Sequence, residues 1–463
     1  MQYKKFLEGI KEFSTKLAEE DDILVVSHHD ADGITACAIM LKLFKNLGRS
    51  ADFKIIKQLD SSNIKEINSR GTVVFTDMGS GQLELIKKNI KNFYIIDHHP
   101  PVGEYENQVN PHFYGYDGGC DVSGAGMTYF VAKSLGCKDI ADIAIVGAVG
   151  DMQDSKGKFE PESLNRKILS DGTDEKILKI KYDLRLFGRQ SRPLPQMLAF
   201  ASEPVLPGLT GNPSECIQFI KKLGIELDGD KNKKWKRYID LTHAEREKLR
   251  DALYIHLLNL NTPEFLINKL VGEVYTLLKE EKGTELRDAK EFATVMNACG
   301  RQENSEIGVK VCIGDRNENW KQAKRLLLIH RQHLREGLDF LRTHTLNEKN
   351  NLYYFDAGDL IKESIVGVVA GMAYGARIIP PDKPVLALAD DKDDPLMKKV
   401  SARANWGLIR KGIHLGNAMR SACEKVGGEG GGHDIAAGAR IPKEKEIEFL
   451  NFVDEIFGEQ VKK

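Results

Sequence analysis

Four short polar clusters hold the side chains of this sequence best suited to chemistry: His28-His29-Asp30-Ala31-Asp32-Gly33, Thr76-Asp77, Asp97-His98-His99 and Gly150-Asp151. Carboxylates crowded into one pocket cannot all stay ionised unless a cation sits among them. Oxygen and imidazole donors without sulfur suit Mn²⁺, or Mg²⁺, better than zinc. His28, Asp30, Asp32, Asp77, His98 and Asp151 are more ligands than one ion needs when water and substrate must also bind. Two ions about 4 Å apart, sharing one carboxylate, would use them all. Such a pair activates water at neutral pH and holds the attacking and leaving oxygens of a phosphoryl group, so metal-assisted phosphodiester hydrolysis is the expected chemistry. The ligands alone also admit peptide or amide hydrolysis, and the adjacent pair leaves open whether His28 or His29 is the ligand.

The elements that must position these residues are legible beside them. The first three clusters each follow an apolar, β-rich run, at residues 23–26, 72–75 and 93–96. In a parallel α/β sheet such runs are inner strands, and the residues past their carboxyl ends line the functional crevice. Any one of these residues alone reads as an ordinary helix cap, turn residue or core histidine. Three consecutive strand ends with the same residue types, and a fourth segment ending in Asp, favour the metal reading. The spacing predicts helices over 2–20, 34–47 and 127–135 and a further strand over 52–56, an alternation that argues for a doubly wound sheet in the first 200 or so residues. The apolar run 140–149 fits a helix or a buried strand equally.

Pro193, Pro195, Pro204 and Pro207 mark a boundary. Beyond it, a capping box at Thr242-His243-Ala244-Glu245, a strand over 271–278 and a helix over 284–298 read as a small α+β insertion. A long helix over 319–342 follows, and the last 110 or so residues alternate again. Four domains are expected: one over 1–200 that carries the polar clusters, an insertion over 201–315, a connecting helix over 316–350 and an α/β domain over 351–463. With 41% hydrophobic and 29% charged residues the composition is that of a globular protein, with no apolar run long enough to span a bilayer. Residues 1–10 have no apolar segment or cleavage site of a secretion signal. The seven cysteines are scattered and never spaced C-x-x-C, which fits a reducing cytoplasm. A net charge of −1 means that any polyanion must be held by a local basic groove.

Asp97-His98-His99 resembles the signature that names the DHH phosphoesterase superfamily. His28-x-Asp30-x-Asp32-Gly33, Asp77 and Asp151 are similar to its other motifs in order and spacing, and Gly430-Gly431-Gly432-His433 with Ala436-Ala437-Gly438 resembles the associated DHHA1 domain. The domain order is similar to that of the archaeal RecJ-like nucleases, or GINS-associated nucleases, relatives of the replication factor Cdc45. The resemblance implies that Asp77 bridges two Mn²⁺ ions, with His28 and Asp30 completing one site and Asp32, His98 and Asp151 the other. It implies that Asp97 orients His98 from behind and that His99 faces the scissile phosphate. Gly430, Gly431, Gly432 and His433 would hold the substrate phosphate or terminal nucleotide, with Arg403, the loop arginines Arg189 and Arg192, and Ser123 before a helix as further phosphate contacts. The implied activity is a manganese-dependent exonuclease on single-stranded DNA or RNA, releasing 5′-mononucleotides in replication or repair, its two lobes closing over the strand. The implied partner is the archaeal GINS complex, through the insertion. Two other readings remain: a Cdc45-like scaffold in the replicative helicase, and a phosphoesterase on short oligonucleotides or phosphoadenosine phosphate.

Overall fold

In the computed structural model, which describes residues 2–61, 63–67, 71–201, 204–228, 235–375 and 378–462, the first four strand signals become one parallel sheet. Helix α1 (Gln2–Leu17) leads into β1 (Ile23–His28), α2 (Ala31–Asn46), β2 (Ala51–Ile56), β3 (Thr72–Thr76), α3 (Leu83–Asn89), β4 (Phe93–Ile96) and β5 (Gln108–Val109). The strand order is β2-β1-β3-β4-β5, parallel throughout. The chain thus builds outward in one direction from β1 and then in the other from β3. The crevice between the ends of β1 and β3 is the switch point at which such sheets bind ligands. Every residue of β3 and β4 is buried, as expected of inner strands covered on both faces.

Helices α4 (Gly124–Ser134), α5 (Ala141–Gly150) and α6 (Leu164–Asp174) complete this layer. The run 140–149 is therefore helix: α5 is apolar all round because it packs against α2, α4 and α6 and exposes no face. The chain then enters β6 (Leu178–Leu184), which pairs antiparallel with β7 (Val271–Leu277), Leu184 standing opposite Val271. Between those strands lie α7 (Leu194–Ala199), α8 (Pro213–Lys222), α9 (His243–Asn259) and α10 (Glu264–Ile267). They close over an apolar core of their own that includes Leu198, Ile220, Tyr238 and Leu253.

Of the described residues within 201–315, only those up to the start of β7 pack on that core. After β7, α11 (Ala289–Arg301) and α12 (Ser305–Cys312) bury Phe292, Val295, Met296 and Val309 in the same core as Ile34 and Met40 of α2. Their apolar faces belong to the catalytic layer, and the inserted part is what hangs from the β6–β7 pair. Helix α13 (Glu318–Thr343) spans the division between two compact units, Met1–Leu327 and Leu328–Lys463.

The second unit contains β8 (Asn347–Glu348), β9 (Tyr353–Asp356), α14 (Glu363–Gly375), β10 (Val385–Asp390), β11 (Met397–Arg403), α15 (Trp406–Arg410), α16 (Leu415–Val426), β12 (Glu429–Gly432), β13 (Ala436–Pro442) and α17 (Glu446–Lys462). Its sheet runs β12-β13-β11-β10-β9-β8, with only β9 and β10 parallel. The glycine run is β12, an edge strand rather than a loop.

Candidate metal centre

Asp77 stands at the middle of the site. It follows β3 in the left-handed region, at φ +57°, a conformation that costs about 1 kcal/mol for a residue with a side chain. Gly124 makes room for it, since a β-carbon there would lie 2.7 Å from the Asp77 carboxylate. Oδ2 of Asp77 is 3.7 Å from His28 Nδ1, and Oδ1 is 3.2 Å from His98 Nε2. Oδ1 is buried and accepts no hydrogen bond, an expensive arrangement unless something else satisfies it.

On one side of Asp77 lie His28 and Asp30, at the end of β1. Asp30 serves two ends at once. Its Oδ1 caps α2 by accepting Gly33 N–H at 3.0 Å, while its Oδ2 is 3.0 Å from His28 Nδ1. His29 is turned away from the group: its Nδ1 lies 3.1 Å from His28 Nε2. Burial, then the charge of His28, push the His29 pKa down to about 3. His28 is thus the imidazole that joins Asp30 and Asp77, their ligand atoms all within 4.8 Å of one another.

On the other side are Asp32, His98 and Asp151, which likewise place one ligand atom each within 4.8 Å of the others. Asp32 sits on the N-terminus of α4 and accepts Gly124 N–H at 2.6 Å and Ala125 N–H at 2.9 Å. His98 Nδ1 donates to Gly118 C=O at 2.7 Å, leaving Nε2 directed at Asp77 and Asp32. Such a backbone partner fixes the tautomer of a metal-binding histidine. Asp151 ends α5 and accepts from Gln153 Nε2 at 2.9 Å, while Asn165 in turn donates to Gln153 Oε1. Burial, with Asp32 and Asp30 adding to it, pushes Asp151 up to about 7 against the pull of His98. Burial and the same two neighbours drive Asp77 well up.

Asp97 does a different job from the one expected. Its Oδ1 accepts His99 Nδ1–H at 2.8 Å and the backbone N–H groups of His98 and His99, and its Oδ2 accepts Ser80 N–H. It therefore orients the His99 ring, while Gly118 orients that of His98. Burial opposes charge on His99, but Asp97 outweighs it and raises the pKa to about 9. The His99 side chain is 48% exposed, yet it keeps a ring nitrogen within 4.8 Å of ligand atoms of Asp77, Asp97 and His98.

The donor set fits a pair of divalent cations: six oxygen or imidazole residues, no thiolate in either group, and a shared carboxylate with an unsatisfied buried oxygen. The sequence matches the DHH family N-terminal domain over residues 22–148, the DHH-CID domain over 186–271 and the DHHA1 domain over 359–459. An uncharacterized protein of Methanocaldococcus jannaschii is 32% identical over 95% of this chain and 94% of its own length. This chain belongs to the DHH family. DHH proteins are phosphoesterases, and among solved structures the fold is shared with RecJ of Thermus thermophilus in complex with Mn²⁺. The TM-score is 0.59 at 16% identity, covering 97% of this chain and 55% of that one, so the chain spans about half the length of that RecJ. It is shared equally with CDC45 of Entamoeba histolytica, with a TM-score of 0.64 at 14% identity over 98% of both chains.

The DHHA1 domain carries the remaining expected contacts. Gly430, Gly431 and Gly432 form the free edge of its sheet, and exposed His433 follows, its N–H donating to Ala436 C=O. Arg403 ends β11 opposite Ala436, so it lies one strand away from the glycines. In the DHH domain, Ser123 is fully buried and caps α4 through Gly126 N–H, while the next two amides serve Asp32; the helix end meets a carboxylate rather than a phosphate. Arg189 is buried between Asp183 and Asp288, at 3.1 and 3.0 Å, and Arg192 stacks on Phe187 and Phe200. Arg189 is thus taken up by buried carboxylates, one of them 99 residues away, which its place on a loop near a boundary does not reveal. Nothing in the sequence pattern marks the supporting contacts of Gln153 and Asn165. Nearness alone, two residues past Asp151, could have pointed to Gln153.

Proposed function

We propose that this DHH protein is a Mn²⁺-dependent exonuclease that hydrolyses phosphodiester bonds of single-stranded DNA or RNA to 5′-mononucleotides, acting in replication or repair. The observation that carries this reading is Asp77, an unsatisfied buried carboxylate held between two complete ligand groups. His28, Asp30 and Asp77 would hold one cation, and Asp77, Asp32, His98 and Asp151 the other. When bound, such a pair supplies Lewis acidity and lets water attack phosphorus near neutral pH. The chain's own residues do the rest. With Nδ1 committed to Asp97, His99 keeps Nε2 as a proton donor for the departing 3′-oxygen. Asp97 keeps that ring oriented and charged. In the DHHA1 domain, Gly430, Gly431, Gly432, His433 and Arg403 are the proposed contacts for the nucleotide end.

The alternative is a Cdc45-like scaffold in a helicase assembly with GINS, favoured by the full-length likeness to CDC45. Under either reading we assign GINS contact to the inserted domain, which lies apart from the ligand groups in sequence and has its own core. The deciding experiment offers 5′-labelled single-stranded DNA, single-stranded RNA, duplex DNA and phosphoadenosine phosphate to the protein with Mn²⁺. Mononucleotides from the single strands alone are expected. Hydrolysis of the small substrate alone would point to a short-substrate phosphoesterase, and hydrolysis of none would leave the scaffold.

A further inference from the structure

Helix α11, which no ligand motif includes, meets the His28–Ala31 segment at several points. Asn297 Oδ1 accepts the backbone N–H of Ala31 at 3.0 Å. Ala31 directly follows Asp30, is 1% exposed, and begins α2, so its N–H is one of the amides a helix start leaves without an internal partner. The Asp30 side chain accepts from Gly33, and it is Asn297 that accepts from Ala31. Gly300, one turn further on, lies against the His29 carbonyl: a β-carbon there would stand 1.8 Å from that oxygen. Ser305, which opens α12, has its hydroxyl 3.4 Å from the same carbonyl. Arg301 is near enough for its charge to act on Asp30 and His29.

The other end of α11 is tied to the root of the inserted domain. Asp288 caps the helix and pairs with Arg189. Glu291 accepts Gln190 N–H at 2.8 Å and the Ser191 hydroxyl at 2.5 Å. The Asp32–His98–Asp151 group has hydrogen-bonded supports that do not involve Asn297, at the N-terminus of α4, Gly118 and Gln153, although α11 also packs against α5, which ends at Asp151.

We infer that α11 is the positioning element of the His28–Asp30–Asp77 half of the centre, with Asn297 its working residue. This rests on the metal-centre reading above. Without the Asn297 acceptor, a buried N–H is left unpaired and the Asp30–Ala31 peptide is free to turn, carrying the Asp30 carboxylate with it. One half of the centre loses its geometry and the other keeps it. Because the same helix is anchored to residues 189–191, a partner that shifts the inserted domain would be felt at this half-site.

The test titrates Mn²⁺ into the metal-stripped full-length chain and follows unbound Mn²⁺ by electron paramagnetic resonance, with thermal melting of the metal-free protein alongside. Wild type is expected to bind two ions. Asn297→Ala is expected to weaken one of them about 10- to 100-fold, the usual effect of losing a group that orients a ligand, and to leave the other unchanged. Asn297→Asp, which keeps the acceptor, should restore binding to within a few-fold. Thr294→Ala, whose hydroxyl bonds only back to Lys290 C=O within the helix, should match wild type. Asn297→Gln displaces the acceptor by one methylene and must reproduce the selective loss, so the inference is judged even if the alanine variant fails to fold. An unaltered isotherm in the Ala and Gln variants would overturn the positioning role while leaving the centre intact. So would equal weakening of both ions in step with the melting temperature. No Mn²⁺ bound by wild type would overturn the metal centre itself, and this inference with it.

Discussion

At Asp77, burial and the charges of Asp32 and Asp30 all oppose ionisation, and no hydrogen bond relieves them. Asp77→Asn keeps the shape and tolerates the left-handed backbone but removes the charge the cations need. Hydrolysis should fall by more than ~10²-fold, beyond the loss from removing an orienting partner. The metal-free melting temperature should hold or rise, because a buried carboxylate whose ionisation burial, Asp32 and Asp30 oppose is gone. Rates and melting curves of the purified variant check both. His99 and Asp97 make a second case. Asp97 holds His99 up at about 9, so a reaction that needs His99 protonated loses rate only as pH rises past that value. Asp97→Asn removes the raising charge, so the falling limb of the pH–rate profile should move to lower pH. His99→Gln should abolish that limb and lower kcat about 10²-fold. An unmoved limb in Asp97→Asn would remove His99 from the proton transfer. The six residues proposed as ligands were legible by type, four of them at or just past the ends of β1, β3 and β4, since polar clusters after apolar runs announce a crevice; Asp32 falls in the first turn of α2 and Asp151 at the end of α5. The partner of Asp97 was not, because adjacency in sequence offers His98 and His99 equally and only the backbone decides.

At the scale of elements, α11 reaches the segment around Ala31 from more than 250 residues away. Its Glu291 is fully buried, and burial with Asp288 nearby raises its pKa to about 8 from an ordinary 4.5, although Ser191 and Gln190 pull the other way. The folded state thus holds this proton to about pH 8, whereas the unfolded chain gives it up near 4.5. Stability from this group is greatest below 4.5, declines as pH rises to about 8, and is level beyond. Glu291→Gln cannot ionise and should remove that decline. Melting temperatures of both proteins from about pH 4.5 to 8.5, in saturating Mn²⁺, check it; parallel curves would deny the buried acid. Nothing in the local sequence marks Glu291, because its neighbours come from residues 190 and 191. The strands and helices themselves were legible wherever period and caps agreed, as at Thr242-x-x-Glu245 before α9. They were ambiguous in α5, whose uniform burial erases the period, and unmarked in β12, whose glycines carry no strand pattern until β13 pairs with them.

Across the whole molecule, the inserted domain is the part whose limits packing decides. Prolines near 193–212 mark a change of texture, but the chain's return to the catalytic core is set by which faces bury against α2 and α5. Removing residues 212–310 would take β7, α11 and most of α12, and with them Phe292, Val295 and Met296 from the core. That truncation should not fold. The cut the architecture permits is different. Leu184 and Val271 are paired neighbours on antiparallel strands, so replacing residues 185–270 with Asn-Gly closes β6 and β7 into a two-residue hairpin. The cost is real. Asp154, Asp183 and Asp288 lose Arg185 and Arg189, although removing the domain also opens these acids to water. The shortened chain should therefore melt cooperatively at a lower temperature. It should keep Mn²⁺-dependent hydrolysis at a reduced rate, because α11 has lost its anchor at residues 189–191, and it should no longer co-elute with GINS. Circular dichroism melts, the labelled-strand assay and gel filtration with GINS read these outcomes in turn. A hairpin variant that melts without cooperativity would mean that the inserted core stabilises the catalytic layer instead of hanging from it.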